Sequence, residues 1–138
     1  LTQYVVEIAK KEGLPDGLQP LDGGVAVHLA CHARAQNMGA KAVELLRLIP
    51  QADLAIIERC SGHGGSWGVM KENFPVALKI GKPVARQTAK EAKAYLASEC
   101  PLAALHIQQG LERLGGDDPV SVPPAKHPIE LFAAAYGL

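Results

Sequence analysis

Gly23-Gly24-Val25-Ala26-Val27-His28-Leu29-Ala30-Cys31 is a short, mostly apolar run opened by two glycines and closed by a cysteine. It is too brief for an ordinary helix and has no regular polar face, as expected of a strand covered on both sides in a parallel sheet. Asp53-Leu54-Ala55-Ile56-Ile57-Glu58 and Ala94-Tyr95-Leu96-Ala97-Ser98-Glu99 repeat the pattern, with Cys60 and Cys100 close behind them. Helical spacing fills the intervals. From Arg34 to Ile49, Ala42, Val43, Leu45, Leu46 and Ile49 predict one crossover helix, stopped by Pro50. Residues 69–80 resume helical character, with Pro75 suited to a first turn, and Gly81-Lys82-Pro83 predicts a break before a second helix from Val84 to Lys93.

Further out, Pro101 opens a helix carrying Leu102, Leu105, Ile107, Leu111 and Leu114, closed by Gly115-Gly116. Val120-Ser121-Val122 is the expected fourth strand, and His127-Pro128-Ile129-Glu130-Leu131-Phe132 opens a terminal helix. Residues 2–12 read as an amphipathic helix ended by Gly13 and Pro15, with a turn-rich linker behind it. The expected fold is α/β: a small parallel sheet of about four strands, right-handed crossovers and helices on both faces. One domain covers residues 1–138, of which 1–23 are the first helix and linker. The chain starts at Leu1 rather than Met, and is expected to be part of a longer protein.

Composition narrows the classes. The 138 residues are 48% hydrophobic and 20% charged, enough to bury a core and unlike a disordered chain. Fourteen basic residues balance fourteen acidic ones, and no block of charge advertises nucleic acid. No apolar run approaches the roughly 20 residues of a membrane span, and no signal-peptide pattern opens the chain. Three widely spaced cysteines suit a reducing compartment, so the expected location is cytoplasmic.

In an open parallel sheet, ligands bind beyond the carboxyl ends of the strands. Cys31, Cys60 and Cys100 are 29 and 40 positions apart, yet each sits at such an end, so they are expected to converge as metal ligands. His63, three residues after Cys60, would complete a Cys3His set of the kind that holds zinc. His32 directly follows Cys31, and neighbours seldom ligate one ion, so a supporting role is expected. His28 reads as a buried, hydrogen-bonded strand histidine, His106 as structural, and His127 as a cap for the last helix. The loop Gly62-His63-Gly64-Gly65 lacks the third glycine of a dinucleotide fingerprint and has no Gly-Lys-Ser/Thr after it, so nucleotide binding is a weak reading. A nucleophilic Cys60 activated by His63 leaves Cys31 and Cys100 unexplained. Ser61 reads as a turn residue and Trp67 as packing beside the loop or a shield over a metal. Arg34, Gln36, Lys71 and Glu72 read as solvated helix faces, with Arg34 and Gln36 also within possible reach of cysteine sulfurs.

Four segments carry a resemblance: His28-Leu29-Ala30-Cys31-His32-Ala33-Arg34, Cys60-Ser61-Gly62-His63-Gly64-Gly65-Ser66-Trp67-Gly68, Glu99-Cys100-Pro101-Leu102-Ala103 and His127-Pro128-Ile129-Glu130-Leu131. In this order they resemble the cysteine-rich CCG domain of Fe-S oxidoreductases related to heterodisulfide reductase, anaerobic glycerol-3-phosphate dehydrogenase and glycolate oxidase. The resemblance runs from about Gly24 to the end. It implies an α/β domain of a larger Fe-S oxidoreductase, an electron-transfer role, an iron-sulfur cluster, and other domains or subunits as partners. The family pattern has five thiols, and here Ser61 and Ala103 stand at two of those places. Three thiolates remain for an iron-sulfur cluster, with His63 or an exogenous group beside them. The alternatives are one zinc ion in a structural or docking module and, with less support, a cysteine-nucleophile hydrolase or transferase.

Overall fold

The computed structural model describes residues 1–37, 40–115 and 120–138. The three apolar runs form strands β1 (Val25–His28), β2 (Leu54–Ile57) and β3 (Tyr95–Ser98), and a two-residue strand β4 (Ala125–Lys126) completes the sheet. All pairings are parallel and the order is β2-β1-β3-β4. Val25 is level with both Leu54 and Tyr95, so the strands flanking β1 start in step with it. Gly24 enters β1 at φ +73, and a Cβ there would stand 2.8 Å from the Asp53 carbonyl oxygen, which is why glycine occupies the turn.

Alternation along the strands splits the core into two layers. Val25, Val27 and Ala97 point to one layer, with Val6 of helix α1 (Thr2–Glu12), Val43 and Leu46 of α3 (Lys41–Leu46), and Leu131 of α6 (Pro128–Ala135). Ala26, Ile57 and Leu96 point to the other, against Val84 and Ala85 of α4 (Phe74–Glu91) and Ile107 and Leu111 of α5 (Pro101–Glu112). The expected α/β fold with helices on both faces is the observed one. No helix among the described residues is long and apolar enough to cross a membrane.

Four details differ from the sequence reading. The crossover expected over 34–49 is two helices, α2 (Cys31–Ala35) and α3, because the backbone turns left-handed at Asn37 (φ +54). Residues 70–73 are not helical, and a short 3-10 turn at Trp67–Val69 precedes them, so α4 begins only at Phe74. The break at Gly81-Lys82-Pro83 is absent, and α4 runs through with Pro83 inside it. Pro83 lies on the exposed side, where water can take the carbonyl it leaves unbonded, and Gly81 lies on the buried side against Ser61. The fourth strand is at Ala125–Lys126 rather than 120–122, because it must accept Leu96 N–H at the Pro124 carbonyl (3.1 Å). Of the expected Gly115-Gly116 stop, Gly116 lies outside the described residues.

Candidate metal centre

Each strand delivers its cysteine by a different local device. After β1, Leu29 N–H bonds the Ile57 carbonyl (3.0 Å), Ala30 stays extended, and Cys31 is the first residue of α2. After β2, Cys60 stands before a turn in which Gly62 N–H reaches back to its Sγ (3.4 Å). After β3, Cys100 is extended at the N-terminal end of α5, and its N–H donates to Ser98 Oγ (3.2 Å).

The three thiols line one cavity of about 380 Å³ at the carboxyl rim. His28, His32, Ser61 and His63 share its wall, as do Gly64, Gly65, Leu102 and Ala103. Ala103 brings a methyl where the related pattern has a thiol. Cys31 and Cys60 are exposed, Cys100 is partly so, and none is paired in a disulfide. Among the described residues no group of three or more His, Cys, Asp or Glu is close enough to hold one metal ion. The structure thus brings the donors expected from sequence to one cavity but not to one point.

His28 organises the rim. It is 1% exposed, and its Nε2 lies 2.9 Å from the Arg59 carbonyl while Nδ1 lies 3.1 Å from Ser98 Oγ. A carbonyl only accepts, so Nε2 carries the proton, and Nδ1 accepts from the Ser98 hydroxyl. That same hydroxyl accepts from Cys100 N–H, so one imidazole ties the residue before Cys60 to the backbone carrying Cys100. Burial is the main cause holding the His28 pKa below its usual value, and neighbouring His63 adds to it, against the raising effect of the Arg59 carbonyl. A buried, hydrogen-bonded His28 is the sequence expectation. Ser98 is not among the sequence candidates, and its place two residues before Cys100 is the one signal that points to it.

His63 lies with Nδ1 2.6 Å from Ser61 Oγ and Nε2 3.8 Å from Cys100 Sγ. Desolvation, and then the proximity of His106, hold its pKa below the usual imidazole value. The Ser61 contact fixes the ring so that Nε2 faces the Cys100 sulfur. His106 is buried, packs edge-on against Phe74 (5.8 Å between centroids), and has no hydrogen-bond partner among the described residues on either ring nitrogen. It does not line the cavity. His127 caps α6 in a reciprocal box: its ring accepts from Ile129 N–H (3.2 Å) and its own N–H donates to Glu130 (2.6 Å). Trp67 is 42% exposed and off the cavity wall, while Arg34, Gln36, Lys71 and Glu72 are exposed.

The glycines of the loop serve two ends. A Cβ on Gly62 (φ +88) would collide with the Ala77 carbonyl and stand 2.7 Å from Gly81 N, so that residue is glycine to let the loop lie on α4. Gly64 and Gly65, also left-handed, face the cavity.

Fold and rim define a small doubly wound α/β domain with thiols at its strand ends. One of the subunits of anaerobic glycerol-3-phosphate dehydrogenase from Escherichia coli is 30% identical to it over 125 residues, 90% of this chain and 29% of that one. An uncharacterized iron-sulfur protein of Methanococcus maripaludis is 33% identical over 113 residues, 79% of this chain and 22% of that protein. One of the subunits of the CoM/CoB fumarate reductase of Methanothermobacter marburgensis is 30% identical over 105 residues, 73% and 21% of the two chains. The chain therefore spans less than a third of the relatives it matches. No family model matches it, and no solved structure matches it. The chain belongs, over this aligned region, to the CCG-domain family of Fe-S oxidoreductases.

Proposed function

We propose that the domain holds an iron-sulfur cluster through Cys31, Cys60 and Cys100 and serves electron transfer within a larger cytoplasmic Fe-S oxidoreductase. The observation that carries this reading is the cavity itself: three unpaired thiols from three strand ends line about 380 Å³. A single zinc ion needs its ligands within about 2.0–2.3 Å of one point, and no such set exists among the described residues. A polynuclear group, larger than one ion, suits donors spread around a wall. Relatives named as an iron-sulfur protein and as redox-enzyme subunits support the same reading, and with it partner domains or subunits.

Such a cluster supplies one-electron transfer when bound, at a potential set by its ligands, hydrogen bonds to sulfur and exposure. The chain's own residues do the rest. Gly62 N–H donates to Cys60 Sγ and ties that sulfur to the turn that follows it. His28 and Ser98 fix the backbone on which Cys60 and Cys100 stand. His63 faces Cys100 either as an N–H donor to its sulfur or as a fourth ligand. Leu102 and Ala103 make one wall of the cavity apolar.

Cys31→Ala, Cys60→Ala and Cys100→Ala are each expected to abolish metal binding while leaving the chain folded, and His106→Ala to retain metal. Metal analysis with far-UV circular dichroism reads both. Full metal retention in any one cysteine variant would contradict a common site.

A further inference from the structure

The neutral chain hides a polarised helix. Lys79, Lys82, Arg86 and Lys90 recur along α4 at intervals of three and four, within an arc of roughly 80° at 100° per residue. All four are exposed, on the side opposite the buried Ala77, Gly81, Val84, Ala85 and Thr88. Arg59 and Arg113 flank the stripe. None of the four salt bridges found among the described residues uses any of these six cations. Lys79, Lys82 and Arg113 line a cavity of about 250 Å³ on the α5 side, and Arg59, Arg86 and Lys90 line one of about 470 Å³ on the other side, where Glu91 is the one acid.

We propose that the outer face of α4 docks the acidic face of a redox partner protein, which thereby approaches the Cys60 side of the rim. This rests on the iron-sulfur reading above. Two cationic hollows on opposite sides of one helix suit an extended surface rather than a small anion, which would occupy one of them. Val76 and Ile80 run beside the stripe, 51% and 48% exposed, and offer apolar contact with a charged border, as protein interfaces do. Single-stranded nucleic acid would instead use stacked aromatics, and the aromatic content of the chain is 4%. The link to the site is covalent and close: Arg59 precedes Cys60 and donates from Nε to Gln87 of α4 (2.7 Å), and Gly81 packs on Ser61.

The test is titration of an acidic [2Fe-2S] ferredoxin into the anaerobically purified protein, by calorimetry, at low and high salt. Charge reversal in the triple variant K79E/K82E/R86E is expected to weaken binding by about tenfold or more, and salt to suppress it. The neutral triple K79Q/K82Q/R86Q should fall between the two, and Lys11→Glu with Arg47→Glu, on the other face, should match wild type. Absent binding by wild type, or equal binding by the reversed triple at an unchanged thermal midpoint, would overturn the proposal. So would an oligothymidylate that binds more tightly than the ferredoxin and is lost in the same triple. Iron content of the same samples separates the two readings: ferredoxin bound by an iron-free protein contradicts only the cluster, and an iron-loaded protein that ignores ferredoxin contradicts only the docking face.

Discussion

Within the sheet, Leu96 and Ala97 of β3 are wholly buried between two helical layers, while a few residues on Cys100 stands partly exposed on a cavity wall. The same contrast holds along β1, from buried Val25–Val27 to exposed Cys31. Inside, apolar contact between the strands and the flanking helices holds the layers together. At the rim the chain places left-handed glycines, a buried histidine network and three open thiols where apolar packing would have been more stable. Stability belongs to the first region and chemistry to the second. His28, Ser98 and Gly62 sit at the join and should report on both.

The largest stability effect is expected in the interior. Leu96→Ala removes a wholly buried side chain between β3, α4 and α5 and should cost about 2–5 kcal/mol in denaturant unfolding. The folded fraction should keep its metal, and loss of metal from that fraction would blur the separation between the regions. Gly62→Ala should act on both, costing about 1–3 kcal/mol through backbone strain at φ +88 and lowering metal content, because the loop can no longer lie on Ala77 and Gly81. Wild-type stability and metal content in this variant would show that α4 does not hold the loop.

A smaller effect comes from pH. The folded state holds neutral His28 below its ordinary pKa of 6.5, so the unfolded chain takes up the proton more readily as pH falls through that value. His63 acts in the same direction. Thermal midpoints of metal-free protein should therefore drop from pH 7 toward pH 5, and drop less in His28→Asn. Glu44, held down by hydrogen bonds from Lys10 and Lys41, and Glu130, held down by the His127 N–H, work in a lower window. Their contribution is present above the ordinary value of 4.5 and disappears as pH falls through their lowered values. A midpoint that is flat down to pH 5 would contradict the role given to His28.

The interior is legible in the sequence because strand-length apolar runs and helical spacing carry the burial pattern directly, as Val25–Val27 in β1 and Ile107 and Leu111 in α5 show. The cysteines are legible as strand-end residues. What stays hidden depends on tertiary contact. Gly81-Lys82-Pro83 has every local mark of a helix break, yet packing on Ser61 and an exposed proline keep α4 whole. Reading a break there also puts Lys82 in the break and separates Lys79 from Arg86 and Lys90, which is why four aligned cations look like scattered surface charge. Val120-Ser121-Val122 has better strand composition than Ala125–Lys126, but only the latter is aligned with Leu96 and Ala97. The hydrogen bonds of His28 join residues 31 and 70 positions apart, beyond any local pattern.

The central claim is that three thiols on one cavity wall hold an iron-sulfur cluster, and its most direct test is iron, acid-labile sulfide and zinc per chain in protein purified without oxygen. The account predicts iron and sulfide in about equal amounts, both lost in Cys60→Ala. Zinc without sulfide, or a fully folded chain with no metal, would contradict it.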